Sequence, residues 1–83
     1  MNKIEFTVLG IKPVDKLKDK KHILGTIIYG IYEDENVQGN ATNSFFLFRN
    51  QYPIDYIEIN AKYDIHYTEN RNSKYVQTFK RIF

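Results

Sequence analysis

The chain contains no cysteine and no tryptophan, and among its 83 residues only four are glycine and two are proline. The lack of cysteine excludes disulfides, thiolate zinc sites and cysteine nucleophiles, and it is typical of a reducing compartment. No apolar run approaches the roughly 20 residues of a membrane span, and the N-terminal segment lacks the apolar stretch of a signal peptide. We therefore expect a cytoplasmic protein that does not enter membranes.

A chain of this length is expected to form one domain, residues 1–83, that buries only about 60% of its unfolded surface. Lys, Asn, Ile, Tyr and Phe supply about half of the residues. All five are encoded by A/T-rich codons, which indicates an AT-rich genome such as that of a low-GC bacterium, a phage or a mobile element.

The formal net charge is only +2, which is small for a dedicated non-specific nucleic-acid binder. The charges are unevenly distributed, however. Residues 12–22 carry a local charge of +3, and residues 71–81 hold four basic residues and no acidic one. Glu33, Asp34 and Glu35 form an acidic cluster between these two basic segments.

Every apolar segment is short and rich in aromatic and β-branched residues, which predicts an all-β domain. The first strand is expected at 3–9, followed by a bulge at Gly10 and a lysine-rich loop up to residue 22. The remaining strands are expected at residues 22–33, 43–50, 62–68 and 74–83. The last segment also shows helical spacing, but nine residues make a poor isolated helix and a turn precedes them, so we favour a strand.

Pro53 cannot donate a backbone hydrogen bond in a central strand, so a turn or one short helical turn is expected between the third and fourth strands. Five antiparallel strands with a short element at that place resemble, in outline, an OB-type barrel or an SH3-like barrel. This resemblance covers the whole chain but rests on no family signature. The predicted fold is a five-stranded antiparallel small barrel, OB-like or alternatively SH3-like.

Signatures of enzymes are lacking in the sequence. It has no glycine-rich phosphate loop, no Gly-x-Ser-x-Gly elbow and no clustered spacing of metal ligands. Asp64 and His66 would share one face of a strand, but no nucleophile accompanies them, and His22 lies far away along the chain. We expect a non-enzymatic protein without metal or cofactor.

The segment "SFFLFR" at residues 44–49 raises the main functional question. A period of two places Phe46 and Phe48 on one face of a strand, and Phe45 and Leu47 on the other. One pair is expected in the core. The other pair packs under a loop, contacts a partner chain, or faces solvent as a surface on which bases stack.

Thirteen aromatic residues, several with basic neighbours, predict a single-stranded nucleic-acid-binding module that uses phosphate contacts and base stacking. The predicted contact residues are Phe46, Phe48, Arg49, Lys62, Tyr63, Lys74, Tyr75, Lys80 and Arg81. The alternative is a small protein-interaction or inhibitor module, of phage or mobile-element type, that acts through the same aromatic surface. A homodimer is a further alternative, in which a second copy covers the second apolar face of strand two or three.

Overall fold

The computed structural model describes residues 2–82, which form five β-strands and one short 3₁₀ helix. The elements are β1 (Asn2–Lys18), β2 (Lys21–Glu33), β3 (Asn40–Phe48), a 3₁₀ helix (Ile54–Tyr56), β4 (Lys62–Asn70) and β5 (Ser73–Arg81). The predicted all-β class is confirmed, as are the helical turn after Pro53 and the strand in the C-terminal segment, whose last residue, Phe83, lies outside the described residues. Nowhere in residues 2–82 is there a helix long and apolar enough to cross a membrane.

All strands belong to one antiparallel sheet with the order β3-β2-β1-β4-β5. Because every neighbouring pair is antiparallel, the two edge strands, β3 and β5, run in the same direction. The sheet curls so that these edges approach each other, and Lys74 Nζ of β5 donates a hydrogen bond to Asn43 Oδ1 of β3. No backbone ladder joins β3 to β5 in the part of the chain that the structure describes. The sheet is therefore open along this line, here called the seam, so the predicted five-stranded antiparallel architecture is confirmed and the word barrel applies to it only loosely.

The inner face of the curled sheet holds the hydrophobic core. Aromatic rings dominate it: Phe6 packs edge-on against Phe45, with ring centroids 5.2 Å apart, and Tyr63 stacks on Phe79 at 4.3 Å. Such pairs contribute roughly 0.5–1.5 kcal/mol each beyond the burial of their apolar area. The buried apolar residues are Phe6, Val8, Ile28, Phe45, Leu47, Ile57, Tyr63, Ile65, Tyr67 and Phe79.

The hairpin of β1 and β2 extends beyond the rest of the sheet. The pairing of β1 with β4 ends at Thr7 and the pairing of β2 with β3 ends at Gly25, whereas β1 and β2 remain paired to Lys18 and Lys21. Residues 9–24, here called the arm, comprise the part of β1 beyond its pairing with β4 and the part of β2 beyond its pairing with β3. Asp19 and Lys20 join these two parts, and both have positive φ, as in a type I′ hairpin turn.

The prediction of a lysine-rich loop at residues 12–22 is therefore wrong. Residues 12–18 show no alternation of apolar and polar side chains, since their own side chains are mostly exposed. They are held in a strand by backbone pairing with residues 21–27 of β2, which include the apolar Ile23, Leu24 and Ile27.

The predicted bulge at Gly10 is confirmed, because the register between β1 and β2 shifts between Val8 and Gly10. A bulge of one residue reverses the faces to which later side chains point. Before the bulge, even-numbered residues such as Phe6 and Val8 face the core. After it, Ile11 pairs with the buried Ile28, so odd-numbered residues face inward and even-numbered ones face outward.

Candidate nucleic-acid interface

The two pairs of the segment SFFLFR have separate environments. Phe45 and Leu47 are buried in the core, whereas Phe46 is half-buried and Phe48 is 51% exposed on the outside of β3. The rings of Phe46 and Phe48 pack edge to face, with centroids 5.0 Å apart. The outward pair is thus an aromatic surface on the outer face of the sheet.

Phe46 owes its position to a glycine on the neighbouring strand. A Cβ atom at Gly25 would lie 2.1 Å from Cζ of Phe46, which is far inside van der Waals contact. The ring therefore lies directly over the β2 backbone in the space that a side chain at position 25 would fill. Phe46 in turn supports the more exposed ring of Phe48.

Lysines of the arm share this outer face. Ile27 of β2 pairs with Phe46 on one side and with Lys12 on the other, so these three residues form one row across the sheet. The next row joins Phe48, Gly25 and Val14 in the same way. Lys16 follows two residues later on β1 and points to the same side. The aromatic face, as the term is used below, comprises Lys12, Val14, Lys16, Gly25, Ile27, Phe46 and Phe48.

A groove of about 340 Å³ borders the aromatic face at the seam. Phe48 of β3 and Tyr75 of β5 line it, and both are about half exposed, at 51% and 55%. Leu47, Tyr52 and Val76 supply further apolar lining, while Gln51 and Lys74 supply polar groups. The groove thus brings two exposed rings from the opposite edges of the sheet together.

Two of the predicted cations, Arg49 and Lys74, have partners within the chain. Arg49 Nη2 donates to the backbone carbonyl of Gly25 at 3.0 Å and to that of Val14 at 3.4 Å, which ties the end of β3 to the base of the arm. Lys74 Nζ, besides its bond to Asn43, lies 5.1 Å from the centroid of the Phe45 ring. Both charged groups therefore hold elements of the sheet together.

Tyr63 is wrongly predicted as a stacking residue. It is fully buried, at 0% exposure. Its hydroxyl donates to the Tyr56 carbonyl at 2.8 Å and accepts a hydrogen bond from the Glu58 amide at 2.9 Å, so it anchors the segment around the 3₁₀ helix. No base can reach the face of this ring.

The remaining predicted residues, Lys62, Lys80 and Arg81, lie away from the aromatic face. Lys62 is on β4, three strands from β3 in the sheet order, and Lys80 pairs across β4 and β5 with Asp64. Arg81 Nη1 lies 2.5 Å from Glu58 Oε1, and this hydrogen bond raises the pKa of the guanidinium above its ordinary value. We therefore exclude these three residues from the candidate interface.

Lys12 and Lys16 are the residues that the sequence reasoning missed. The sequence did contain a signal for them. The bulge predicted at Gly10 reverses the faces to which the later side chains of β1 point, and the neighbouring strand, β2, is apolar enough to pair with a charged strand. Applying that reversal to the residues after Gly10 places Lys12, Val14 and Lys16 on the outer face.

Within residues 2–82, no group of three or more His, Cys, Asp or Glu side chains is arranged so that it could hold a metal ion. His22 Nε2 lies 3.6 Å from Asp15 Oδ1 on the arm, and both side chains are largely exposed. The arrangement thus offers aromatic rings and ammonium groups, which bind ligands by stacking and charge.

Comparison with known proteins adds no family to this description: no protein-family model matches the chain, and no curated protein or solved structure was found to be similar to it.

Proposed function

We propose that the protein is a non-enzymatic module that binds single-stranded nucleic acid on the aromatic face. Bases stack on Phe48 and Tyr75, and the phosphates pass along Lys12 and Lys16 of the arm. The observation that carries this proposal is the register of β1, which sets the two lysines on the same side of the sheet as Phe46 and Phe48.

The position of the aromatic face agrees with the position at which small five-stranded barrels bind nucleic acid. Five-stranded barrels of OB type bind oligonucleotides on the face of strands two and three, between the loops that join strands one and two and strands four and five. The aromatic face occupies β2 and β3, and the arm takes the place of the first of those loops. Arg71, in the turn between β4 and β5, supplies a positive charge at the second.

Binding of a single strand at this face does not require a large net charge on the protein. Stacking contributes about 1–3 kcal/mol per base, and each phosphate contact adds a term that weakens with salt. The local charge of +3 in residues 12–22 concentrates the attraction on the arm, so the net charge of +2 underestimates the potential at this face.

Fluorescence anisotropy with a labelled oligo(dT) tests the stacking half of the proposal. Phe48→Tyr keeps a flat ring and is expected to bind as the wild type does. Phe48→Leu keeps apolar bulk but loses the ring, and it should weaken binding by about 1–3 kcal/mol, or roughly 5- to 150-fold. Equal affinities for the leucine and tyrosine variants would show that stacking on Phe48 plays no part.

A protein-interaction function is the second candidate, and the seam favours it. β3 and β5 are both edge strands, and an extended peptide could pair with either edge beside the groove.

Hydrogen exchange distinguishes peptide binding from oligonucleotide binding. A peptide strand would protect backbone amides of β3 or β5, whereas an oligonucleotide would leave them exchanging as before and instead shift the side-chain signals of Phe48 and Tyr75.

A further inference from the structure

Opposite ends of β2 carry opposite charges. The strand begins at Lys21, in the turn of the arm, and ends at Glu33, in the acidic cluster. We propose that the tip of the arm, formed by Lys18, Lys20 and Lys21, docks into an acidic pocket at the other end of a second copy of the chain. This association is distinct from nucleic-acid binding and from a symmetric dimer through an apolar face.

The acidic pocket is an open cavity of about 820 Å³ beside the loop between β2 and β3. Three carboxylates line it, from Glu33, Asp34 and Glu35, and among the described residues Lys3 is the one basic residue on its wall. Asp34 is fixed in place because its Oδ1 accepts a hydrogen bond from the amide of Asn36 at 2.9 Å. The pocket is therefore suited to an ammonium group.

A buried phenol provides a second, independent feature of the pocket. Tyr67 lines the cavity although it is only 7% exposed, and its ring packs against Phe45 in the core at 4.9 Å. Within residues 2–82 its hydroxyl has no hydrogen-bond partner. Burial, and then the nearby Tyr32, Glu69 and Asp34, raise the pKa of this phenol, so it stays neutral at physiological pH. An entering ammonium group would donate a hydrogen bond to the hydroxyl oxygen, since Tyr67 lines the cavity.

The tip of the arm supplies such groups in a strained arrangement. Lys18 lies directly opposite Lys21, and Lys20 occupies the turn with a φ of 64°. Like charges directly opposite each other destabilise a hairpin, and Asp19 is the one acidic residue in the turn. Carboxylates of a partner would relieve this repulsion, so the charges of tip and pocket are complementary.

Tip and pocket cannot meet within one chain. Thirteen residues of β2 separate them, which corresponds to about 40 Å of extended strand and agrees with a longest molecular dimension of 43 Å. The contact must therefore join different copies head to tail, which builds chains or rings of molecules.

Sedimentation velocity without nucleic acid tests the proposal, so its outcome is independent of the function proposed above. The wild type should form species larger than 9.9 kDa at about 10 mM salt and dissociate at about 1 M salt, because the Debye length falls from about 30 Å to about 3 Å between these concentrations. Two charge-reversed variants are informative: a tip variant, Lys18→Glu with Lys21→Glu, and a pocket variant, Glu33→Lys with Glu35→Lys. Each should be monomeric alone, and an equimolar mixture of the two should associate again.

Two further variants distinguish specific docking in the acidic pocket from non-specific attraction between opposite charges. Tyr67→Phe keeps the ring in the core and every charge, and it should weaken association about 10-fold or more. Lys80→Glu changes one charge on β5, at a residue outside both the tip and the pocket, and should associate as the wild type does. A monomeric wild type at low salt, a mixture that fails to associate, an unaffected Tyr67→Phe variant or a salt-resistant dimer would each overturn the proposal.

Discussion

Replacing Gly25 by alanine tests how the aromatic face is built. The added Cβ would lie 2.1 Å from Cζ of Phe46 and 2.9 Å from the carbonyl oxygen of Leu47. The ring of Phe46 can move away, but the Leu47 oxygen belongs to the β3 backbone and cannot move without disturbing the strand. The substitution should therefore displace Phe46 and loosen the pairing of β2 with β3.

The expected cost is that of overpacking, about 1–3 kcal/mol. For a domain of this size each kcal/mol lowers the melting temperature by about 4–8 °C, so the melting temperature should fall by roughly 4–24 °C. Thermal unfolding followed by circular dichroism measures this change. Anisotropy with oligo(dT) should show weaker binding by the same variant, because Phe48 loses the ring that supports it.

Gly10→Ala is the matched control. A Cβ at Gly10 would meet only Tyr29 side-chain atoms, at 3.7 Å, which is ordinary contact. Alanine there restricts the unfolded chain and should stabilise the protein by about 0.4–1 kcal/mol. Equal melting temperatures for the two alanine variants would refute the reasoning that Phe46 occupies the space over Gly25.

Further predictions concern the core and the seam. Leu47→Ala should cost about 2–5 kcal/mol and Phe48→Ala about 1 kcal/mol or less, as measured by urea unfolding; similar costs would contradict the assignment of the two faces. Lys74→Met keeps the aliphatic stem but removes the ammonium group above Phe45, so it should lower the free energy of unfolding by about 1 kcal/mol. The pKa of Tyr67 is raised in the folded state, so the stability linked to its proton is complete below about pH 10, the unfolded value, and is lost as the pH rises through the folded pKa. Urea unfolding between pH 9 and about 11.5 should therefore show a smaller decline for Tyr67→Phe than for the wild type.

Local patterns in the sequence were sufficient for most of the fold. The alternation of Tyr63, Ile65 and Tyr67 with polar residues predicted β4, and Pro53 predicted the break before it. The same alternation argued that Tyr63 faces the core, so the error of placing it in the binding site came from giving weight to its neighbour Lys62. The face to which a residue points was better evidence than its neighbour in sequence.

The strand structure of the arm could not be predicted from the arm's own residues. Residues 12–18 form a strand because they pair with β2. Their own side chains are exposed on both faces, so the sequence of this strand shows no alternation of apolar and polar residues. The openness of the seam was likewise hidden, because closure depends on the curl of the whole sheet. The lysines of the aromatic face were missed because the reversal of faces after the bulge at Gly10 was not applied to residues 12–16.

The salt dependence of oligo(dT) binding tests the central proposal most directly. Replacing Lys12 and Lys16 by glutamine should weaken binding and reduce the slope of log K against log salt by about 1.4, since each phosphate contact on a single strand contributes about 0.7. Replacing Lys62 and Lys80 by glutamine removes the same charge elsewhere and should leave the slope unchanged. No binding by the wild type at low salt, or the same slope for both double variants, would contradict the account.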